Sequence, residues 1–102
     1  MATTPAPIPM NVLEQAAYVL RVLAHPHRLR MVELLMTGRL SVGELADELD
    51  LAPNAVSQHL SNMRAHGIVE VQRDGRTAYY RVANPNAINM INCIRKHGCG
   101  TG

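Results

Sequence analysis

Apolar residues return at helical spacing through most of this chain, and at alternate positions through one stretch near residues 68–82. The densest pattern is at residues 40–67, LSVGELADELDLAPNAVSQHLSNMRAHG. There Val42, Leu45, Ala46 and Leu49 fall at i, i+3, i+4 and i+7, one helical face turned toward a core. Ser41 and Glu44 have capping-box spacing, in which each side chain satisfies a backbone N–H left unpaired at a helix start. Asp50-Leu51-Ala52 supplies a turn. Pro53 suits the first position of a second helix, where an N–H would lack a partner anyway. At about 100° per residue, Val56, Leu60 and Met63 gather on one side of that helix, and Asn54, Ser57, Gln58, Ser61, Asn62 and Arg64 spread over the other. Gly67 ends it. Two short helices joined by a tight turn make a helix-turn-helix.

The flanking patterns give this pair a setting. Residues 1–10 are rich in Pro, Ala and Thr and are expected to form a flexible arm. Asn11 is expected to cap a helix ending near Leu23, with Val12, Leu13, Ala16, Ala17, Leu20 and Leu23 on a broad apolar surface. Ala24-His25-Pro26 breaks the chain, because a residue before proline avoids helical geometry. A further helix then turns Leu29, Val32, Leu35 and Met36 inward and stops at Gly38. After the central pair, the alternation from Val69 to Arg73 and from Thr77 to Val82 predicts two strands, with Asp74-Gly75 as the hairpin turn. Asn84-Pro85 opens a last helix striped by Ile88, Ile91 and Ile94 and widened by Met90.

The predicted fold is mainly α with a β-hairpin wing, a winged helix-turn-helix in residues 11–97 followed by a tail at 98–102. Both terminal helices carry more apolar surface than a small core needs, so they are expected to pack against a second copy. A two-fold homodimer sets its recognition helices about one DNA turn apart and matches a palindromic operator.

Composition narrows the chemistry. A chain of 102 residues with 47% hydrophobic content builds one small domain. Phe and Trp are absent and Tyr numbers three, so the core is aliphatic and the aromatic platforms used to bind RNA or single strands are missing. The net charge of +2 says little, but its distribution says more. Asp47, Glu48 and Asp50 concentrate acid around the first helix of the pair, whereas Arg64, Arg73, Arg76 and Arg81 lie on the second and beyond. The second helix has neither the Glu nor the Lys that usually coat a solvated face. Its Asn54, Ser57, Gln58, His59, Ser61, Asn62 and Arg64 can hydrogen-bond base edges or phosphates of double-stranded DNA, with no carboxylate to repel them. Arg73 and Arg76 bracket the hairpin tip and are read as wing contacts to the DNA backbone or minor groove, the alternative being a solvated basic turn.

No Ser/His/Asp or paired-carboxylate constellation suggests an enzyme, and DNA binding of this kind requires no cofactor. The competing class is a winged-helix protein-interaction module without DNA binding. The chain start lacks the pattern of a signal peptide and no stretch approaches a membrane span, so a cytoplasmic protein with reduced thiols is expected. Because no Cys or further His lies at ligand spacing nearby, His25 and His27 are read as water-facing residues of a polar helix start, the alternative being metal ligation. In a further alternative, Arg28 or Arg30 beside them contacts a phosphate.

Four runs together resemble the ArsR/SmtB family of bacterial winged-helix repressors. They are Leu23-Ala24-His25-Pro26-His27-Arg28-Leu29-Arg30, Val42-Gly43-Glu44-Leu45-Ala46, Ala55-Val56-Ser57-Gln58-His59-Leu60 and Arg73-Asp74-Gly75-Arg76-Thr77-Ala78-Tyr79-Tyr80-Arg81. The resemblance covers residues 12–94, and the Ser57-Gln58-His59-Leu60 motif is fairly specific. It implies a homodimer joined through its terminal helices, bound to operator DNA and released by an inducer, with Ser57, Gln58 and His59 reading bases. Ala52 departs from the family's frequent capping Ser, which implies a less firmly started recognition helix.

The family's sensing sites are largely missing here. Ser41-Val42-Gly43 stands where the arsenic-type site has Cys-Val-Cys, and the zinc-type positions correspond to Asn84, Asn86, His97 and Gly100, of which only His97 is a good ligand. Glu33 stands at the first cysteine of the sulfide-sensing branch, with Cys99 near the second. What remains is Cys93, His97 and Cys99. These three are competent ligands for zinc or another soft metal ion acting as effector. The two thiols alternatively form a redox pair, with Arg95 and Lys96 favouring thiolate. In the third reading the tail has no sensing role and Cys93 is a small hydrophobe at the dimer seam.

Overall fold

The computed structural model describes residues 6–98. Its elements run α1 (Met10–Leu23), α2 (Pro26–Leu35), β1 (Leu40–Ser41), α3 (Val42–Leu49), α4 (Pro53–Ala65), β2 (Val69–Asp74), β3 (Thr77–Val82) and α5 (Pro85–His97). α3 and α4 form the helix-turn-helix, and β2 and β3 form the wing.

Both helices of the central pair end in the same hydrogen-bonded motif. At the end of α3, Leu51 N–H bonds to the Ala46 carbonyl (3.1 Å) and Asp50 N–H to that of Asp47 (3.4 Å), with Asp50 left-handed at φ 54°. At the end of α4, Ile68 N–H bonds to Met63 (2.9 Å) and Gly67 N–H to Arg64 (3.0 Å), with Gly67 at φ 72°. This is the Schellman arrangement, which satisfies carbonyls that a helix end would leave bare. Asp50 takes the left-handed position that glycine fills at Gly67, as short polar side chains are able to do. The expected capping box is present: Ser41 Oγ accepts from Glu44 N–H at 3.2 Å, and Glu44 Oε1 accepts from Ser41 N–H at 3.0 Å. α4 starts on Pro53 with no side-chain cap, its first bonds going to the Ala52 carbonyl.

Three local expectations are corrected. α1 begins at Met10, two residues early, because the Pro9 carbonyl accepts from Val12 and Leu13 at 3.0 and 3.2 Å, so Asn11 lies inside the helix and caps nothing. The hairpin loop is Gly75-Arg76, since Asp74 still pairs with Thr77. Positive φ at Gly75 alone matches a type II′ turn, in which glycine takes the first central position. The wing also gains a strand: β1 pairs antiparallel with β3 through Leu40–Tyr80 and Ser41–Tyr79, giving the sheet order β1-β3-β2.

The core is aliphatic as expected. Leu23, Met31, Val32, Leu45, Val56, Leu60, Met63, Ile68 and Val69 are fully enclosed, and no polar residue is buried among the described residues. Met31 joins this core from α2, whereas the expected Leu29 and Met36 are only half-buried. α1 contributes only Val19, Val22 and Leu23, and its earlier turns stand clear of the core. α5 docks through Ala87 and Ile91, opened by Asn84, whose side chain accepts from Asn86 N–H at 2.9 Å.

Candidate nucleic-acid interface

Burying Val56, Leu60 and Met63 turns the opposite side of α4 outward. Asn54, Ser57, Gln58, Ser61, Asn62 and Arg64 are all exposed. Ser57, Gln58, Ser61 and Asn62, with His59 and Arg28, line a shallow open groove along the helix. The sequence places no carboxylate on α4.

His59 differs from its neighbours in being half-buried. Its Nδ1 accepts a hydrogen bond from Arg28 Nε at 3.0 Å. The same guanidinium donates from Nη1 to the Val22 carbonyl at 3.0 Å and to Asn62 Oδ1 at 3.4 Å. Arg28 thus clamps the end of α1 and two successive turns of α4 to the first turn of α2. The ring of His25 stands edge-on to that of His59, with centroids 4.5 Å apart. Burial, and then the charges of His25, Arg28 and His27, hold the His59 imidazole below its ordinary pKa of 6.5, toward the neutral form.

His27 is exposed as expected, but His25 is half-buried, and the expectation that no further His lies near the two is corrected. Ring nitrogens of His25, His27 and His59 lie within 4.8 Å of one another. His59 is far away in sequence, and folding alone brings it to the other two. Arg28, offered with Arg30 as an alternative phosphate contact, bonds to His59 and Asn62 on α4; its signal was the His-Pro-His-Arg run, but its partner was not visible there.

On the wing, Arg73 and Arg76 are exposed, and among the described residues neither has a carboxylate partner. Arg81 is paired instead, with its Nε 2.8 Å from Glu70 Oε1 on β2. Arg39, which sequence reasoning did not single out, braces the sheet: it bonds Asp74 at 2.9 Å and lies over the Tyr79 ring, 4.3 Å from its centroid. Asp74, the wing's only other carboxylate, is thereby neutralised.

The tail expectations divide. Cys93 and His97 are both exposed on α5, whereas Cys99 lies outside the described residues. Glu33, at the position of a cysteine in the sulfide-sensing branch, ties α2 to α5 through Arg95 at 3.1 Å and also pairs with Arg30.

An exposed polar helix behind a tight turn, followed by a hairpin with arginines at its tip, defines a winged helix-turn-helix protein. Residues 23–72 match a helix-turn-helix domain family model. The transcriptional activator HlyU of Vibrio cholerae is 32% identical over 97 residues, spanning 89% of this chain and 90% of that protein. The structure of reduced HlyU aligns with a TM-score of 0.81 at 30% identity, over 88% of this chain and 95% of that one. The transcriptional repressor SmtB of Mycobacterium tuberculosis is 38% identical over 89 residues, 87% of this chain and 66% of that protein. The homodimeric winged helix-turn-helix DNA-binding domain Mb0332 of Mycobacterium bovis gives a TM-score of 0.77 at 25% identity, over 95% of this chain and 90% of that one. The chain belongs to the ArsR/SmtB family of winged-helix transcriptional regulators. No helix among the described residues is long and apolar enough to cross a membrane.

Proposed function

We propose that this chain is a cytoplasmic, homodimeric, sequence-specific repressor that occupies a palindromic operator and leaves it when an inducer binds. The observation that carries the reading is the exposed, carboxylate-free face of α4, with two wing arginines that have no carboxylate partner among the described residues. Ser57, Gln58, Ser61 and Asn62 are assigned to base edges, with Asn54, Arg64, Arg73 and Arg76 on phosphates and sugar. His59 serves from the half-buried margin of that face. Mb0332 is described as a homodimeric DNA-binding domain and SmtB as a repressor, which supports the same assignment here.

Dimerisation is supported by α1. Met10, Val12, Leu13, Tyr18 and Leu20 are 67%, 48%, 42%, 50% and 52% exposed, an apolar surface that a second copy would cover. The inducer is assigned to the chemistry of Cys93, His97 and Cys99, as a soft metal ion or a reactive sulfur species. The single domain at residues 11–97, with its arm and tail, suffices for this scheme.

The test is fluorescence anisotropy of a labelled duplex from the protein's own promoter, titrated with zinc and separately with a polysulfide, for wild type and the Cys93→Ser/Cys99→Ser variant. Gln58→Ala is expected to reduce discrimination between operator and random duplex by about tenfold or more, the worth of one bidentate base contact. Undiminished discrimination would displace the base-reading role from α4. Absence of any salt-sensitive duplex binding would favour the protein-interaction module.

A further inference from the structure

We propose that His25, His27 and His59 form a binding site for a divalent transition-metal ion of the zinc class, and that the metal and Arg28 compete for His59. Three imidazoles with a fourth position left open are a common donor set for zinc and for cobalt(II) in its place. Their ring nitrogens lie within 4.8 Å of one another. Tetrahedral coordination at zinc–nitrogen distances sets an edge of roughly 3.4 Å, so closing the site takes side-chain rotation and leaves the backbone in place. His27 is exposed at the first turn of α2, which gives the ion an entry path and a water ligand. His25 Nδ1 is buried with no hydrogen-bond partner among the described residues, a lone polar atom beside two other imidazoles. Among the described residues, hydrogen bonding satisfies the His59 ring only through Arg28.

Competition follows from the tautomers of one ring. A neutral imidazole has one N–H and one lone pair. In the clamped state the lone pair is on Nδ1, where it accepts from Arg28 Nε, and the proton is on Nε2. A metal at Nδ1 takes that lone pair directly. A metal at Nε2 requires the proton to move to Nδ1, which then has nothing to offer Arg28. Either way the bond from Arg28 Nε to His59 is lost, and the guanidinium keeps only its Nη1 bonds to Val22 and Asn62. Among the described residues no carboxylate joins the cluster, and a positive guanidinium lies beside it. Arg28 therefore opposes the ion in two ways, by occupying its ligand and by repelling its charge.

The site thus lies between the recognition helix and the element that supports it. Where the DNA-binding reading holds, metal and duplex must influence each other's affinity by the same factor, since coupling between two sites is reciprocal. The metal site itself stands or falls without DNA.

The experiment uses the full chain carrying Cys93→Ser and Cys99→Ser, so that thiolates contribute nothing, stripped of metal and titrated with cobalt(II) chloride. Visible ligand-field absorption reporting one tetrahedral, nitrogen-rich cobalt per chain is expected, displaced by zinc. His27→Ala should weaken binding by at least about tenfold with an unchanged thermal melt, because its side chain is exposed. Arg28→Gln should strengthen binding by about tenfold or more, the value of a hydrogen bond to a charged group. A merely structural Arg28 would not produce that increase. Failure of cobalt to bind, an unchanged affinity in His27→Ala, or weaker binding in Arg28→Gln would each overturn the site. Cobalt binding in a protein that ignores duplex DNA would leave the site standing and remove the regulator reading alone.

Discussion

Arg76→Ala removes one guanidinium from the tip of each wing, two in the proposed dimer. The residue is exposed and lies in the hairpin loop, and no carboxylate among the described residues shares its charge. Its loss leaves stability within about 0.5 kcal/mol, as for other surface sites free of special contacts. Each phosphate neutralised on duplex DNA contributes about 0.9 to the slope of log affinity against log salt. Two lost contacts therefore lower the magnitude of that slope by about 1.8. Between 50 and 200 mM salt, wild type should lose roughly tenfold more affinity than the variant. Operator and random duplex should be affected alike, because a backbone contact carries no sequence information. Arg81→Ala is the control, since Glu70 already holds that guanidinium at 2.8 Å. Anisotropy titrations across a salt series read both slopes. An unchanged slope for Arg76→Ala, or an equal fall for Arg81→Ala, would refute the assignment of the wing tip to phosphate.

Two further changes probe other parts of the scheme. Ala52→Ser supplies the missing cap of α4 and should stabilise the protein by about 1 kcal/mol, raising the melting temperature by several degrees; an unchanged melt would mean that a serine there does not reach the free N–H groups. Leu20→Glu places a charge on the exposed face of α1 and should convert the dimer to monomer by analytical ultracentrifugation with helix content retained; a persistent dimer would move the interface away from α1.

The parts of the fold legible in the sequence were those fixed by neighbours. The capping box of Ser41 and Glu44, the turn at Asp50, the entry of α4 on Pro53 and its exit at Gly67 each depend on residues a few positions apart, and each was placed correctly. What escaped required distant partners. β1 is two residues long and exists only because Leu40 and Ser41 meet Tyr80 and Tyr79 across the chain. Met31 looked unremarkable on a weakly patterned helix, yet is wholly enclosed. The surface of α4 was readable from its lack of acids, but the attachment of His59 to Arg28 spans 31 positions and left no local trace. The two-residue shift of the helix start to Pro9 and the one-residue shift to the Gly75-Arg76 loop arose where nearby residues compete for the same local role.

The grip of Arg28 gives the molecule a mechanical property. One planar group holds the last turn of α1 by a carbonyl and α4 by two side chains. A hydrogen bond of 3.0 Å is lost once its atoms separate past about 3.5 Å, so a slip of roughly half an ångström at the end of α1 undoes the joint. If α1 forms the seam between two copies, the angle at which they meet is transmitted through that joint to both reading helices. The spacing of the two half-sites on DNA would then be set partly by a side chain of α2 rather than of the reading helix itself.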